Sequence, residues 1–215
     1  MTTRTTLRRD LADLKQKVYM LGEKCIEIAD IYNSLFETAS QNLEKKVTDI
    51  TNEVKNESKD LHEQCFLVLT LQQPLIKDLR FVVGSLQIVL NLEKISEQYN
   101  STLPQLSGIT VLENNFKDSF IKMANLVQDM LKTSLTLYLS LNIEASDNIS
   151  KLFSEISYLH DILYKQILNE VAKTSGEKAQ IEAQLLGTIR ALEKISDLTL
   201  NISEQVSYII LGNAS

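Results

Sequence analysis

The pentapeptide LEKIS occupies residues 92–96 and recurs at 192–196, 100 positions further along a chain of 215 residues. An identity of that length at that offset marks an internal duplication, so whatever the first half folds into, the second half must fold into as well. What the halves can be is limited by punctuation. Only six glycines and two prolines are present, too few turn formers for the many short strands of an all-β chain and enough for a few long helices.

Apolar residues recur at the spacing of one helical face in six long segments: about 6–38, 42–70, 74–100, 115–139, 147–172 and, after KTSGEK, a stretch ending near 211. Pro74 is expected in the first turn of the third helix, where a missing N–H leaves nothing unsatisfied. Gly212 is placed to stop the sixth. The stretch STLPQLSGITVLENN holds Pro104 and Gly108 and is the natural break between halves. The expected fold is all-α: two tandem three-helix bundles related by a pseudo-two-fold, the first over residues 1–103, a linker over 104–114, the second over 115–215. Short connections make successive helices antiparallel, each about 40 Å long at ~1.5 Å per residue.

Composition removes several function classes. Hydrophobic residues make up 44% and charged residues 23% of the chain, an ordinary balance for a soluble globular protein. The opening MTTRTTLRRD lacks the apolar core of a signal peptide, and FLVLTL falls far short of a membrane span, so a cytoplasmic protein with no transmembrane segment is expected. A net charge of -6 opposes binding to nucleic acid, although Arg4, Arg8 and Arg9 sit close together. Cys25 and Cys65 fit no CxxC spacing, which leaves reduced thiols rather than a disulfide framework or a zinc ribbon. Neither His62 nor His160 has a glutamate three residues before it, so the ExxH element of di-iron bundles is missing. The glycines form no GxGxxG or phosphate loop, there is no GxSxG, and no nucleophile can be matched to a base by motif. No enzymatic activity is expected.

The duplicated helices can be divided by face. Ile88, Leu92, Ile95 and Tyr99 form one apolar stripe, and Leu192, Ile195, Ile202, Val206 and Ile209 form its counterpart. Glu93 and Glu97 lie together on the opposite side at i, i+4 spacing, as do Glu193 and Asp197. Like charges so spaced repel by about 0.2–0.5 kcal/mol. The pairs therefore call for lysine or arginine opposite them, for a metal ion, or simply for solvent. The run FVVGSLQIVLNL is apolar almost all round, which requires burial on both sides by its own bundle or by a partner; a homodimer is expected on that ground.

QQPLIKDLR (72–80) followed by LEKISE, and LEKISD followed by LTLNISEQVSYIILG, resemble the PhoU family, which has two three-helix repeats, a QPxxxDLR stretch opening its third helix and an ERIGD motif in each repeat. The resemblance runs the length of the chain. It implies a cytoplasmic regulator, held at the membrane periphery by its partners, that couples a phosphate-specific ABC transporter, through its ATPase subunit, to a sensor histidine kinase and restrains phosphate-starvation signalling. It also implies pairing into dimers, and metal ions such as iron, zinc, manganese or magnesium on the acids of the motif, here Glu93, Glu97, Glu193 and Asp197. Gln73, Pro74, Asp78 and Arg80 carry the QPxxxDLR element as partner-binding or structural residues, and Asn201 and Glu204 match the NIxE extension. The chain departs from the pattern with Lys94 and Lys194 for arginine, Ser96 and Ser196 for glycine, and Glu97 for aspartate. The register puts Thr51, and near its counterpart Leu152, where further family acids stand. Two carboxylates per repeat would leave most of an ion's shell to water. A metal-carboxylate binding protein and a purely structural helical scaffold are the alternatives.

Overall fold

A computed structural model gives the structure of residues 3–106, 114–143 and 146–212. Among them are six helices and no strand: α1 (Thr3–Leu35), α2 (Gln41–Gln72), α3 (Ile76–Leu106), α4 (Asn114–Ser140), α5 (Ser146–Val171) and α6 (Glu177–Leu211). Local chemistry explains where they begin and end. The Ser40 hydroxyl accepts from the Leu43 N–H and caps α2. Gly212, at φ 83, closes α6 as expected, its N–H donating to the Tyr208 carbonyl at 2.9 Å.

Two proline expectations need correction. Pro74 does not sit in the first turn of α3: α2 ends at Gln72, Gln73 turns the chain in the left-handed region at φ 45, and α3 starts at Ile76. Pro104 does not open a linker: it lies inside α3, which continues to Leu106. Of the expected linker, residues 107–113, with Gly108, lie outside the described residues. Leu103 and Leu106 are 5% and 2% exposed. Burying two leucines is worth about 1.5–3 kcal/mol each, enough to carry the helix past a proline that costs roughly 3 kcal/mol in a helix interior.

The helices sort into central and flanking ones. On α2 the buried positions Val47, Ile50, Thr51, Val54, Ser58, Leu61, Cys65 and Val68 recur at helical spacing, a single stripe. It packs on α1 and α3, as α5 packs on α4 and α6. Across the duplication α3 meets α6 and α1 meets α4. Both crossings are antiparallel and pass close by glycine. A Cβ on Gly84 would lie 2.5 Å from Ile209 Cγ1, while at the far end of the same pair a Cβ on Gly187 would lie 2.7 Å from Gln105 Oε1. Between α1 and α4, a Cβ on Gly22 would lie 2.4 Å from Leu135 Cδ2, and Asn33 donates to Asn125 at 3.1 Å.

One consequence is that the two three-helix units share a single hydrophobic core with residues from all six helices. Tyr32 of α1, Phe36 just after its end, Tyr99 of α3 and Phe120 of α4 meet within it. A second consequence concerns α3: its stretch FVVGSLQIVLNL is apolar nearly all round because α1, α2 and α6 cover it within one chain. The breadth of that surface needs no second copy.

Cys25 and Cys65 are free and buried, and Cys25 Sγ donates to the Leu92 carbonyl at 3.4 Å. Burial pushes their thiols up to about 12 and about 11. The folded protein at pH 8 is therefore expected to take up no maleimide on a timescale that labels both cysteines of the urea-unfolded chain. Rapid native labelling of either would contradict the packing.

Candidate functional site: two acidic seams

The repeated pentapeptide places its residues alike in both copies. Leu92, Ile95 and Ser96 are buried, and so are Leu192, Ile195 and Ser196, whereas Lys94 and Lys194 are exposed. The serines standing where the family pattern has glycine turn inward and donate to the backbone, Ser96 Oγ to Glu93 O and Ser196 Oγ to Glu193 O, each at 2.7 Å. The carboxylates lie on the other side, at the seam between each third helix and its flanking helix.

What faces them comes partly from that flanking helix and partly from α6 itself. Lys55 Nζ of α2 lies 3.7 Å from Glu97. In the second copy His160 Nε2 of α5 lies 3.1 Å from Glu193 Oε2, and Lys194 Nζ lies 3.9 Å from Asp197. The His160–Glu193 contact is within ion-pair reach yet misaligned for a hydrogen bond, since Nε2 is buried without one. The Glu97 and Asp197 side chains are 48% and 44% exposed, so these pairs relieve carboxylate repulsion and contribute little more, about 0–1 kcal/mol each.

The donor set does not fit a resident metal. Thr51, at the register of a family acid, is buried with its hydroxyl 3.5 Å from the Ser96 carbonyl, inside the α2–α3 interface. Leu152 packs against the core, and a cation, Lys55, stands where a further ligand would be needed. Among the described residues no three His, Cys, Asp or Glu side chains converge, and two carboxylates leave an ion's shell mostly to water. Calorimetric titration with manganese, zinc, magnesium or ferric iron is expected to show no saturable heat. The replacement Glu193→Ala with Asp197→Ala should shift stability within about 0.5 kcal/mol. Stoichiometric uptake abolished by that double replacement would establish a metal site.

Sequence reading missed a cluster beside the second seam. His160 stacks on Tyr164 with centroids 5.7 Å apart, and Arg190 donates to the Tyr164 hydroxyl at 2.7 Å. The signal was present as two helical spacings, 160 to 164 on α5 and 190 to 193 on α6, but nothing in one chain's sequence pairs those two faces.

The QPxxxDLR residues lie at the opposite end of α3. Asp78 is in its first turn, where a carboxylate suits the positive helix end. Arg80 reaches the C-terminus of α6: a Cβ on Gly212 would lie 1.9 Å from Arg80 Nη1. Its cation sits against the negative end of that helix and ties the first repeat to the end of the second. Gln73 is exposed, and Pro74 half-buried, in the α2–α3 connection, while Asn201 and Glu204 are exposed on α6. The predicted residues therefore do not converge on one site. They divide between two acidic seams and one end of the molecule.

These features define a class first: an all-helical protein of two homologous three-helix repeats fused through one core. The PhoU domain pattern matches residues 18–101 and 120–206, most of the chain. The chain belongs to the PhoU family. It is 23% identical over 215 residues to a phosphate-specific transport system accessory protein PhoU homolog of Clostridium acetobutylicum, covering 98% of this chain and 96% of that one. It is 29% identical over 171 residues to the homolog of Synechocystis sp., covering 78% and 74%. In fold it is similar to the crystal structures of PhoU from Pseudomonas aeruginosa (TM-score 0.89, 16% identity, 96% of this chain and 99% of that one) and of the phosphate transport system regulatory protein PhoU from Streptococcus pneumoniae (TM-score 0.85, 19% identity, 97% and 99%).

Proposed function

We propose that this protein is an accessory regulator of phosphate uptake and of phosphate-starvation signalling, working by contact with other proteins. The observation that carries the reading is correspondence along the whole length: relatives that span 96% and 84% of their own chains in the match are phosphate-specific transport system accessory proteins. The site geometry supports it. Glu97 and Asp197 of the repeated motif each face a lysine, and Glu193 a histidine, instead of converging on a reaction centre. The partners in this reading are the ATPase subunit of a phosphate ABC transporter and a sensor histidine kinase. Among the described residues no helix is long and apolar enough to cross a membrane, so a place at the cytoplasmic membrane face would come through those partners. Self-association is not needed to cover α3, and the partners proposed are other chains.

Deleting the gene is expected to switch on the phosphate-starvation response in phosphate-replete cells, and a plasmid copy to restore repression. Unchanged phosphate uptake and signalling in the deletion strain would favour a purely structural scaffold instead.

A further inference from the structure

The α2–α3 turn carries a concentration of exposed apolar side chains. Leu67 and Leu71, one turn apart on α2, are 57% and 71% exposed, Leu75 and Ile76 are each 74% exposed, and Leu79 is 42% exposed. Folding gains nothing from leaving these five in water, and clustered apolar exposure marks interaction surfaces. The duplication supplies an internal control. The equivalent turn of the second repeat, between α5 and α6, reads KTSGEK and is polar. The same supersecondary unit therefore makes this connection without apolar residues, so their presence in the first repeat answers to something other than the fold.

Charge specifies what covers them. Between the start of α1 and the start of α3 runs a groove of about 640 Å³ with Leu7, Leu75 and Ile76 as apolar lining, Arg8, Lys77 and Arg80 as cations and Asp78 as the acid. In a chain of net charge -6, this end is locally basic. Two copies meeting face to face here would bring two locally basic surfaces together, which disfavours a symmetric dimer through this end. A flat bilayer does not enter a groove between two helices. An amphipathic segment whose apolar side chains are flanked by aspartate and glutamate fits both features.

We propose that the α2–α3 turn and the first turns of α1 form the docking surface for an acidic amphipathic segment of a partner protein. The inference rests on the reading that the protein acts by protein contact, and it names the surface and the partner's chemistry. The test is co-purification of the tagged full chain, at native level, from phosphate-replete cells, quantifying the phosphate transporter ATPase subunit and the sensor kinase. Leu75→Glu with Leu79→Glu is expected to lower recovery of the partner at least tenfold while leaving helicity and thermal midpoint unchanged. Lys77→Glu should lower recovery severalfold and flatten its fall with salt. A photo-crosslinking residue at Ile76 is expected to label an acid-rich segment of the recovered partner. If the folded double variant recovers as much partner as the parent, the surface is wrong and the functional reading stands. If the parent recovers neither protein, both fail. Crosslinks to a second copy of this chain, or leucine-dependent co-sedimentation with phosphatidylglycerol–phosphatidylethanolamine vesicles, would also overturn the assignment.

Discussion

Replacing Tyr32 by alanine is expected to destabilise the protein by about 3–5 kcal/mol, a large part of a typical total of roughly 5–15 kcal/mol. Tyr32 is fully buried, with ring centroids 5.4 Å from Phe36 and 4.9 Å from Tyr99, both edge-on, and its hydroxyl lies 2.9 Å from Thr102 Oγ1. Truncation removes the ring contacts, opens a cavity between α1 and α3 and deletes the hydrogen bond. The adjacent Tyr99 is the control. Its hydroxyl is buried with no hydrogen-bond partner among the described residues, so Tyr99→Phe relieves a desolvated group and should leave stability equal or higher by about 1 kcal/mol. A Tyr32→Ala loss below about 1 kcal/mol by urea titration would mean the aromatic centre is not packed as described.

The form of that unfolding matters as much as its size. Because the core runs through all six helices, damage near α1 should lower the stability of both repeats together. Calorimetry is expected to show one transition, its calorimetric and van't Hoff enthalpies in agreement, in the parent and in Tyr32→Ala alike. Two resolved transitions would require the repeats to have separate cores.

The helical architecture was legible because its signal is local and repeated: apolar spacing over six long segments, with few breakers between them. The stripe Ile88, Leu92, Ile95 and Tyr99 and the stripe from Leu192 to Ile209 are buried as read. The helix ends near proline were not legible, because Pro74 and Pro104 answer to what surrounds them. Gln73 takes a left-handed conformation that begins the turn ahead of Pro74, and burial of Leu103 and Leu106 extends α3 beyond Pro104. The acidic pairs were visible as pairs, and so was Lys194 three residues before Asp197, while the partners across the seams were not. Lys55 and His160 arrive from flanking helices, and sequence spacing holds no record of which faces meet across a seam. The apolar breadth of α3 was read correctly as a surface covered on both sides, and the cover turned out to be α6. Isolated glycines in helical stretches were the overlooked sign of that close approach.

Gly84→Leu is expected to cost about 1–3 kcal/mol in overpacking where α3 crosses α6. The substitution has a gain to set against this, since a better helix former at an interior glycine is worth about 1 kcal/mol. The geometry decides the balance. A Cβ at this position already lies 2.5 Å from Ile209 Cγ1 and 2.7 Å from Ile209 Cδ1, with the Gln205 carbonyl oxygen at 3.5 Å. The leucine's further carbons must displace Ile209, which is 8% exposed, or push the two repeats apart. Gly84→Ala carries only the first of these atoms, which must itself shift Ile209, and should be destabilising by less than the leucine. Ile209→Ala alone should be destabilising by cavity formation, about 2–5 kcal/mol for a fully buried isoleucine and toward the low end here. Combined with Gly84→Leu it opens the space that the leucine needs, so the double variant is expected to be more stable than the sum of the single losses by about 0.5–3 kcal/mol. Strict additivity would show that α3 and α6 do not approach through this pair, and that the seam between the repeats is closed elsewhere.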